Sequence, residues 1–396
     1  MEQTRHAWSE GTGRYKFLDL YRGIIVLFML EGHVVRELLN NESKATYLFA
    51  LHEIFHGVTA PGFLFGAGFT FAIATQRRWE QSITFTHGFF RRVWRTISLI
   101  FIGYALHFPF LSLQKTLIEA TSTQWNIFLL FDVLQCIGIG LLLLRLLLVI
   151  VRREKLFLGT TTLLLFSIVY ATPIFWTACV QQIFPPTISS AVNGFNGSSF
   201  PLFPFLGFLL AGTCISWLFL RAAQDGHEDI FVKWLMFSGV LLVAAGLLFD
   251  ALPFHTYKEY SFWNTSPNYF WIRLGVLLLM LGGLWYLEDY FATGKGSMAW
   301  MPTWLTILGV ESLFVYIAHL FILCGWVTNA KFNLRGRWGG RLTLTESILI
   351  FVGLTLVMIP ASFGWRYLKK QHPKLMIGLY WWMGFCVVWS FFINPY

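Results

Sequence analysis

Along this chain, long apolar runs alternate with short polar stretches. Eleven runs reach the roughly 20 mostly apolar residues needed to cross a bilayer as a helix. They are 17–36, 53–75, 88–108, 128–150, 156–177, 201–220, 232–251, 269–288, 305–327, 346–367 and 377–394. Polar or Gly/Pro-containing stretches such as 40–47, 76–87, 185–200 and 252–268 separate them. The short alternating segments of a transmembrane β-barrel are missing. The pattern predicts an all-α fold, a polytopic integral membrane helix bundle of about 11 transmembrane helices. One membrane-embedded domain is expected over 1–396, with the terminal span 377–394 at its periphery. No strong internal repeat stands out.

Composition sharpens this picture. Hydrophobic residues make up 56% of the chain and charged residues 12%, against about 45–50% and about 25% in soluble globular proteins. That excess of apolar surface excludes a soluble enzyme, a disordered chain and a nucleic-acid module. The net charge of +9 then belongs to cytoplasmic loops, where Lys and Arg concentrate. With the N-terminus cytoplasmic, 18 basic residues fall inside and 8 outside, so an N-in, C-out topology is expected. The segment 331–341, with four basic residues on the outer side, runs against the rule. The first run is too long for a signal-peptide core and no A-x-A-like site follows it, so it reads as a retained span. Five cysteines occur singly, with no CxxC, and offer neither a disulfide framework nor a zinc knuckle.

Charges inside apolar runs are more informative, because each costs about 2.5–3.5 kcal/mol at mid-bilayer on insertion scales. The first run holds Asp19, Arg22, Glu31 and His33. Arg22 and His33 are close to three helical turns apart, on one face and about 16.5 Å from each other along the axis. Asp19 is three residues before Arg22 and placed to pair with it. Followed through the expected topology, His33, Glu31, His52, Glu53, His56, His107, Asp132, Asp250 and Arg273 all fall near the outer ends of their spans. A polar, acid/base-rich chamber facing outward would explain this, although span ends tolerate polar residues in any case. His52-Glu53-Ile54-Phe55-His56 also matches H-E-x-x-H, a zinc-protease pattern that needs a third ligand; Asp132 or Asp250 would have to serve. A transporter or flippase is the alternative without chemistry, since intramembrane charges and Pro/Gly-broken spans suit a substrate pathway.

Arg14-Tyr-Lys-Phe-Leu-Asp-Leu-Tyr-Arg-Gly23 resembles the R-x-x-x-L-D-x-x-R-G opening of the transmembrane acyltransferase superfamily. That group includes the heparan-alpha-glucosaminide N-acetyltransferases and bacterial O-acyltransferases that decorate surface glycans. In the O-acyltransferase branch an Arg is followed eleven residues later by a catalytically important His, a spacing matched by Arg22 and His33. In the heparan-type branch the catalytic His opens an H-x-x-x-x-G-x-T segment, matched by His52 to Thr59. After Thr59 the chain departs from that branch: the acidic residue expected there is absent and the proline comes early, at Pro61. Further similarity lies in 61–68, 132–138, 200–207 and 311–319, and the most specific part spans 14–140.

The resemblance implies an acyltransferase that takes an acyl group, most often acetyl, from cytoplasmic acetyl-CoA or another acyl-CoA. The acceptor would be a hydroxyl or amine of a glycan-like or other small polar molecule on the far side. It implies a bacterial inner (cytoplasmic) membrane setting, no metal and no nucleic acid, and leaves homo-oligomerisation open. The residues it points to as catalytic are His52, His33 and Asp132. Asp19, Arg22, Glu31, His56, Arg273 and His319 would line the channel. Arg22, Arg91, Arg92 and Arg95 would hold the donor, although basic residues at 77–95 also follow from the positive-inside rule. Either histidine could serve as general base, and an acyl-histidine intermediate is the competing route.

Overall fold

The computed structural model describes residues 15–253, 257, 260–292, 302–325 and 333–394. Arg14, which opens the acyltransferase-like motif, lies outside them. In chain order the helices are α1 (Lys16–Leu38), α2 (Asn41–Lys44), α3 (Tyr47–His56), α4 (Thr59–Gln76), α5 (Trp79–Ile83), α6 (His87–Leu106), α7 (Leu113–Glu119), α8 (Ser122–Phe128), α9 (Val133–Val151) and α10 (Glu154–Phe175). They continue as α11 (Ala178–Ile183), α12 (Pro186–Val192), α13 (Leu202–Gln224), α14 (Glu228–Asp250), α15 (Pro267–Ala292), α16 (Thr303–Val310), α17 (Ser312–Leu323), α18 (Leu334–Trp338), α19 (Leu344–Gln371) and α20 (Pro373–Ile393). Among the described residues the only extended pairing is one isolated bridge between Leu39 and Leu342.

Each of the eleven apolar runs overlaps a helix. Among the described residues eight helices are long and apolar enough to cross a membrane by themselves, or nine if one bent pair forms a single span. The runs 17–36 and 88–108 correspond to α1 and α6, whose charges, Asp19, Arg22 and Glu31 in one and Arg91, Arg92 and Arg95 in the other, set them apart from the rest.

Two spans differ from the expectation in form. The run 53–75 is preceded by helix from Tyr47, because the Thr46 hydroxyl accepts from the Phe49 N–H and starts α3 early. Gly57 and Val58 then separate α3 from α4. The run 305–327 is bent by 85° between α16 and α17. Its break falls at Glu311, which leaves helical geometry (φ −99°, ψ 26°) and whose buried carboxylate accepts from Lys369 Nζ at 2.7 Å.

The chain divides into two compact units. Among the described residues, unit 1 takes in those of Ala60–His107 and Asn126–Thr293, and unit 2 those of Gly13–Thr59, Phe108–Trp125 and Gly294–Tyr396. In unit 1, α13 lies directly on α4. A Cβ at Gly68 would strike the Leu209 carbonyl and one at Gly212 the Phe65 carbonyl. Such small-residue contacts bring backbones together where lipid supplies no hydrophobic drive. Thr213 and Ser216 donate to the carbonyls of Gly68 and Phe69 across the same seam. The α14–α15 pair is closed in the same way by Gly239 and Gly275.

In unit 2, α1 packs against α16, α17 and α19. Gly23 sits on the Leu305 carbonyl, and Gly309 sits on the carbonyl of Asp19. This close approach sets Arg22 beside the α16–α17 break. Gly32, three turns along, sits under the ring of His56.

Candidate functional site

The polar groups of unit 2 converge near the C-terminal half of α1. The turn at 39–46 folds the chain back, so α3 returns alongside α1. Glu31 and Arg36 of α1 thereby meet His52 and Glu53 of α3, and Gly32 meets His56. His52 Nε2 lies 2.9 Å from Glu31 Oε2 and 2.8 Å from Glu31 Oε1. An imidazole N–H held by a carboxylate fixes the ring. The other nitrogen, His52 Nδ1, is buried without a hydrogen bond and faces Glu53 Oε1 at 3.6 Å, so the ring stands between two carboxylates.

Glu53 is held from the other side. Arg36 reaches it through Nε at 3.1 Å and Nη2 at 2.6 Å, the two-pronged geometry that makes Arg–carboxylate pairs directional. The order is therefore Glu31, His52, Glu53, Arg36, a neutralising relay of alternating acid and base.

A file of imidazoles extends from this pair. The His52 and His56 rings stack, with centroids 5.8 Å apart and planes inclined by 5°. His56 lies over Gly32, the residue next to His33, and Thr59 Oγ1 is 3.4 Å from its Nδ1. His33 in turn meets His319 edge to face, at 5.0 Å between centroids and 87°. His319 is fully buried and donates from Nδ1 to the Val315 carbonyl at 2.8 Å. Its Nε2 is buried without a hydrogen-bond partner. Further along α1, Arg22 Nη2 donates to Ser312 Oγ at 3.0 Å, anchoring the guanidinium at the α16–α17 break.

Seven of the expected residues are thus in unit 2: Asp19, Arg22, Glu31, His33, His52, His56 and His319. Histidine pairing places His52 against His56 and His33 against His319. Glu311, weighed as a partner for His319 or as a cap, instead pairs with Lys369. The HExxH residues are engaged in the Glu31–His52 and Glu53–Arg36 pairs. Among the described residues no three His, Cys, Asp or Glu groups converge as metal ligands would.

The other five expected residues are in unit 1. Asp132 is the N-cap of α9 and accepts from the Val133 N–H at 2.7 Å; its Oδ2 is 3.9 Å from His107 Nε2. His107 is oriented by a contact between Nδ1 and the Gly103 carbonyl at 3.1 Å, so the histidine that Asp132 faces is His107. Arg273 is buried, with its guanidinium 3.6 Å over the Tyr269 ring. Arg91 and Arg95 are exposed on α6, and Arg92 donates to the Gln81 carbonyl at 2.8 Å. Asp250, at the end of α14, accepts from Tyr260 and Asn268. Burial and that hydrogen bond push the Tyr260 phenol up to about 12.

The sequence reading missed Arg36, Ser312 and Gly32. Arg36 looked like an ordinary loop-proximal cation, and Ser312 and Gly32 carry no charge to flag them. The one usable signal was the excess of ionisable groups on both sides of the 39–46 turn.

In comparison with known proteins, a family model described as "Heparan-alpha-glucosaminide N-acetyltransferase, catalytic" matches residues 14–244. No curated protein matches.

Proposed function

Because the chain belongs to the heparan-alpha-glucosaminide N-acetyltransferase catalytic family, we propose that it moves an acyl group, acetyl in the first instance, from cytoplasmic acyl-CoA to a hydroxyl or amine of a glycan-like acceptor on the extracytoplasmic side. The observation that carries this reading is the Glu31–His52 pair. An imidazole oriented by a carboxylate is the pairing a general base uses, which contributes typically ~10²–10⁴-fold in rate.

In the proposed reaction the acceptor O–H or N–H gives its proton to the His52 imidazole as the acceptor atom attacks the thioester carbonyl. The C–S bond breaks, and the CoA sulfur leaves with a proton returned from the imidazole. Glu31 holds Nε2–H throughout and stabilises the transient imidazolium. His33 and His56 line the approach and donate to the thioester oxygen or the acceptor. Arg22, fixed on Ser312, lines the donor side of unit 2.

The test uses labelled acetyl-CoA, purified protein and cell-envelope extract, with the labelled product identified. His52→Ala and His33→Ala are each expected to abolish transfer while the protein still purifies as a folded species. Full transfer by both variants sinks the proposal. A wild-type protein that neither binds nor hydrolyses acetyl-CoA returns the chain to the transporter reading.

A further inference from the structure

Among the described residues of unit 1, Arg273 is the only Lys, Arg, Asp or Glu that is buried, at 7% exposed. It lies six residues after Pro267, the first residue of α15, and so roughly 9 Å inside that helix. The helix is long and apolar enough to cross a membrane. A charge at such a depth is costly and marks function. Arginine lowers that cost by running its guanidinium out to the interface or by pairing with a carboxylate. Arg273 does neither.

Its guanidinium is 3.6 Å over the Tyr269 ring, one turn earlier on α15, and 5.9 Å from the Phe205 ring of α13. Cation–π attraction to the two rings holds it there. The rings are themselves held. Phe262 packs on Tyr269 with centroids 4.5 Å apart, and Phe200 meets Phe205 edge to face at 5.2 Å. Among the described residues Arg273 forms no ion pair and no hydrogen bond, and its Nε is buried without a partner. The ionisable group that acts on it is the Tyr269 phenol; no carboxylate and no second cation among the described residues does so. That phenol oxygen is also buried without a hydrogen bond. Asp250, the carboxylate nearest the start of α15, is taken up by Tyr260 and Asn268.

A guanidinium and a phenol thus stand together as donors inside an aromatic shell. Buried donors call for acceptors, and an acidic oxygen pair can take the guanidinium fork at two points. One cation with no second beside it neutralises one negative charge, which suits a monoanion and not a phosphate monoester. The rings around it suit a ligand whose remaining body is apolar. We propose that Arg273 and Tyr269 form a binding site, wholly within unit 1, for the monoanionic head group of an amphiphile. No step of the acyl-transfer reaction above uses it. A fatty carboxylate and the phosphodiester of a phospholipid both offer one charge on an apolar body, so the test separates these two sources.

Calorimetry on the full chain in a non-ionic detergent would compare decanoate, decanol and decyltrimethylammonium. Wild type is expected to bind decanoate about 10-fold or more tightly than neutral decanol, and the cation no better than decanol. Arg273→Gln is expected to weaken decanoate binding about 10–100-fold, while decanol binding stays as in wild type. Tyr269→Phe keeps the ring under the guanidinium and removes one donor, so a smaller loss, about 3–10-fold, is expected. Displacement of decanoate by lyso-phosphatidylglycerol assigns the site to a phospholipid, and failure to displace it assigns the site to a free carboxylate. Equal affinity of wild type for decanoate and decanol overturns the site, a measurement that needs no variant. Unchanged decanoate affinity in both Arg273→Gln and Tyr269→Phe overturns it as well. Each readout is binding, so the result is separate from the outcome for acyl transfer.

Discussion

Glu31 orients the His52 ring. A carboxylate in contact with Nε2 holds the imidazole and stabilises its charged form. Glu31→Gln keeps the size and one hydrogen bond but removes the charge that stabilises an imidazolium. We expect kcat for acyl transfer to fall about 10–100-fold, with the KM for acyl-CoA little changed, as measured by steady-state kinetics. A loss confined to KM would count against the base assignment. Gly32 makes an equally specific demand, because a Cβ there would overlap the His56 ring. Gly32→Ala should displace His56 and cost about 1–3 kcal/mol of stability through overpacking, visible as a lower melting temperature together with reduced transfer. Unchanged melting and activity would show that His56 has room to move. The sequence announced His52 and His33 through charge in apolar runs and through motif spacing. It could not announce Gly32, whose role lies in what packs on it.

The helix α1 supports the site at two levels. Its Gly23 and the Gly309 of α16 let the two backbones meet, and α16 is followed by the break that brings Ser312 to Arg22. Substituting Leu at Gly309 should force the helices apart and lower stability by about 1–3 kcal/mol or more, with a matching loss of transfer; a melting curve equal to wild type would contradict the close-contact reading. The apolar pattern found α1 but not the break in 305–327, because a window of mean hydropathy cannot see one buried glutamate held by a lysine 58 residues away. The early start of α3 had a local cause, the Thr46 cap, and was in principle readable from the sequence. Apolar content outweighed it, since Thr46 to Ala50 contribute little to a hydropathy run.

At the scale of the whole molecule, the family match covers residues 14–244, yet α1 is packed by α16, α17 and α19 from outside that stretch. Residues beyond the match are therefore part of what holds the histidines in place. A chain shortened after Gly294 should lose transfer and fold poorly, whereas one shortened after Gln371 should retain both. The helix lost in the second case, α20, is mostly exposed along its length. Size-exclusion profiles and labelled-acetyl transfer on the two truncations check this, and equal behaviour would remove the distinction.

By itself the sequence determined the helical membrane architecture, because apolar runs of bilayer length have one common solution when every backbone N–H and C=O must be satisfied internally. It also singled out the candidate residues for chemistry, since charges in such runs are too costly to be casual. Only the tertiary structure decided the pairings. Glu31 holds His52, Arg36 holds Glu53, His33 faces His319, and Asp132 faces His107. Those choices depend on how helices cross and which small residues let them approach. Such contacts join positions up to hundreds of residues apart, as Arg22 and Ser312 are, and no local pattern encodes them.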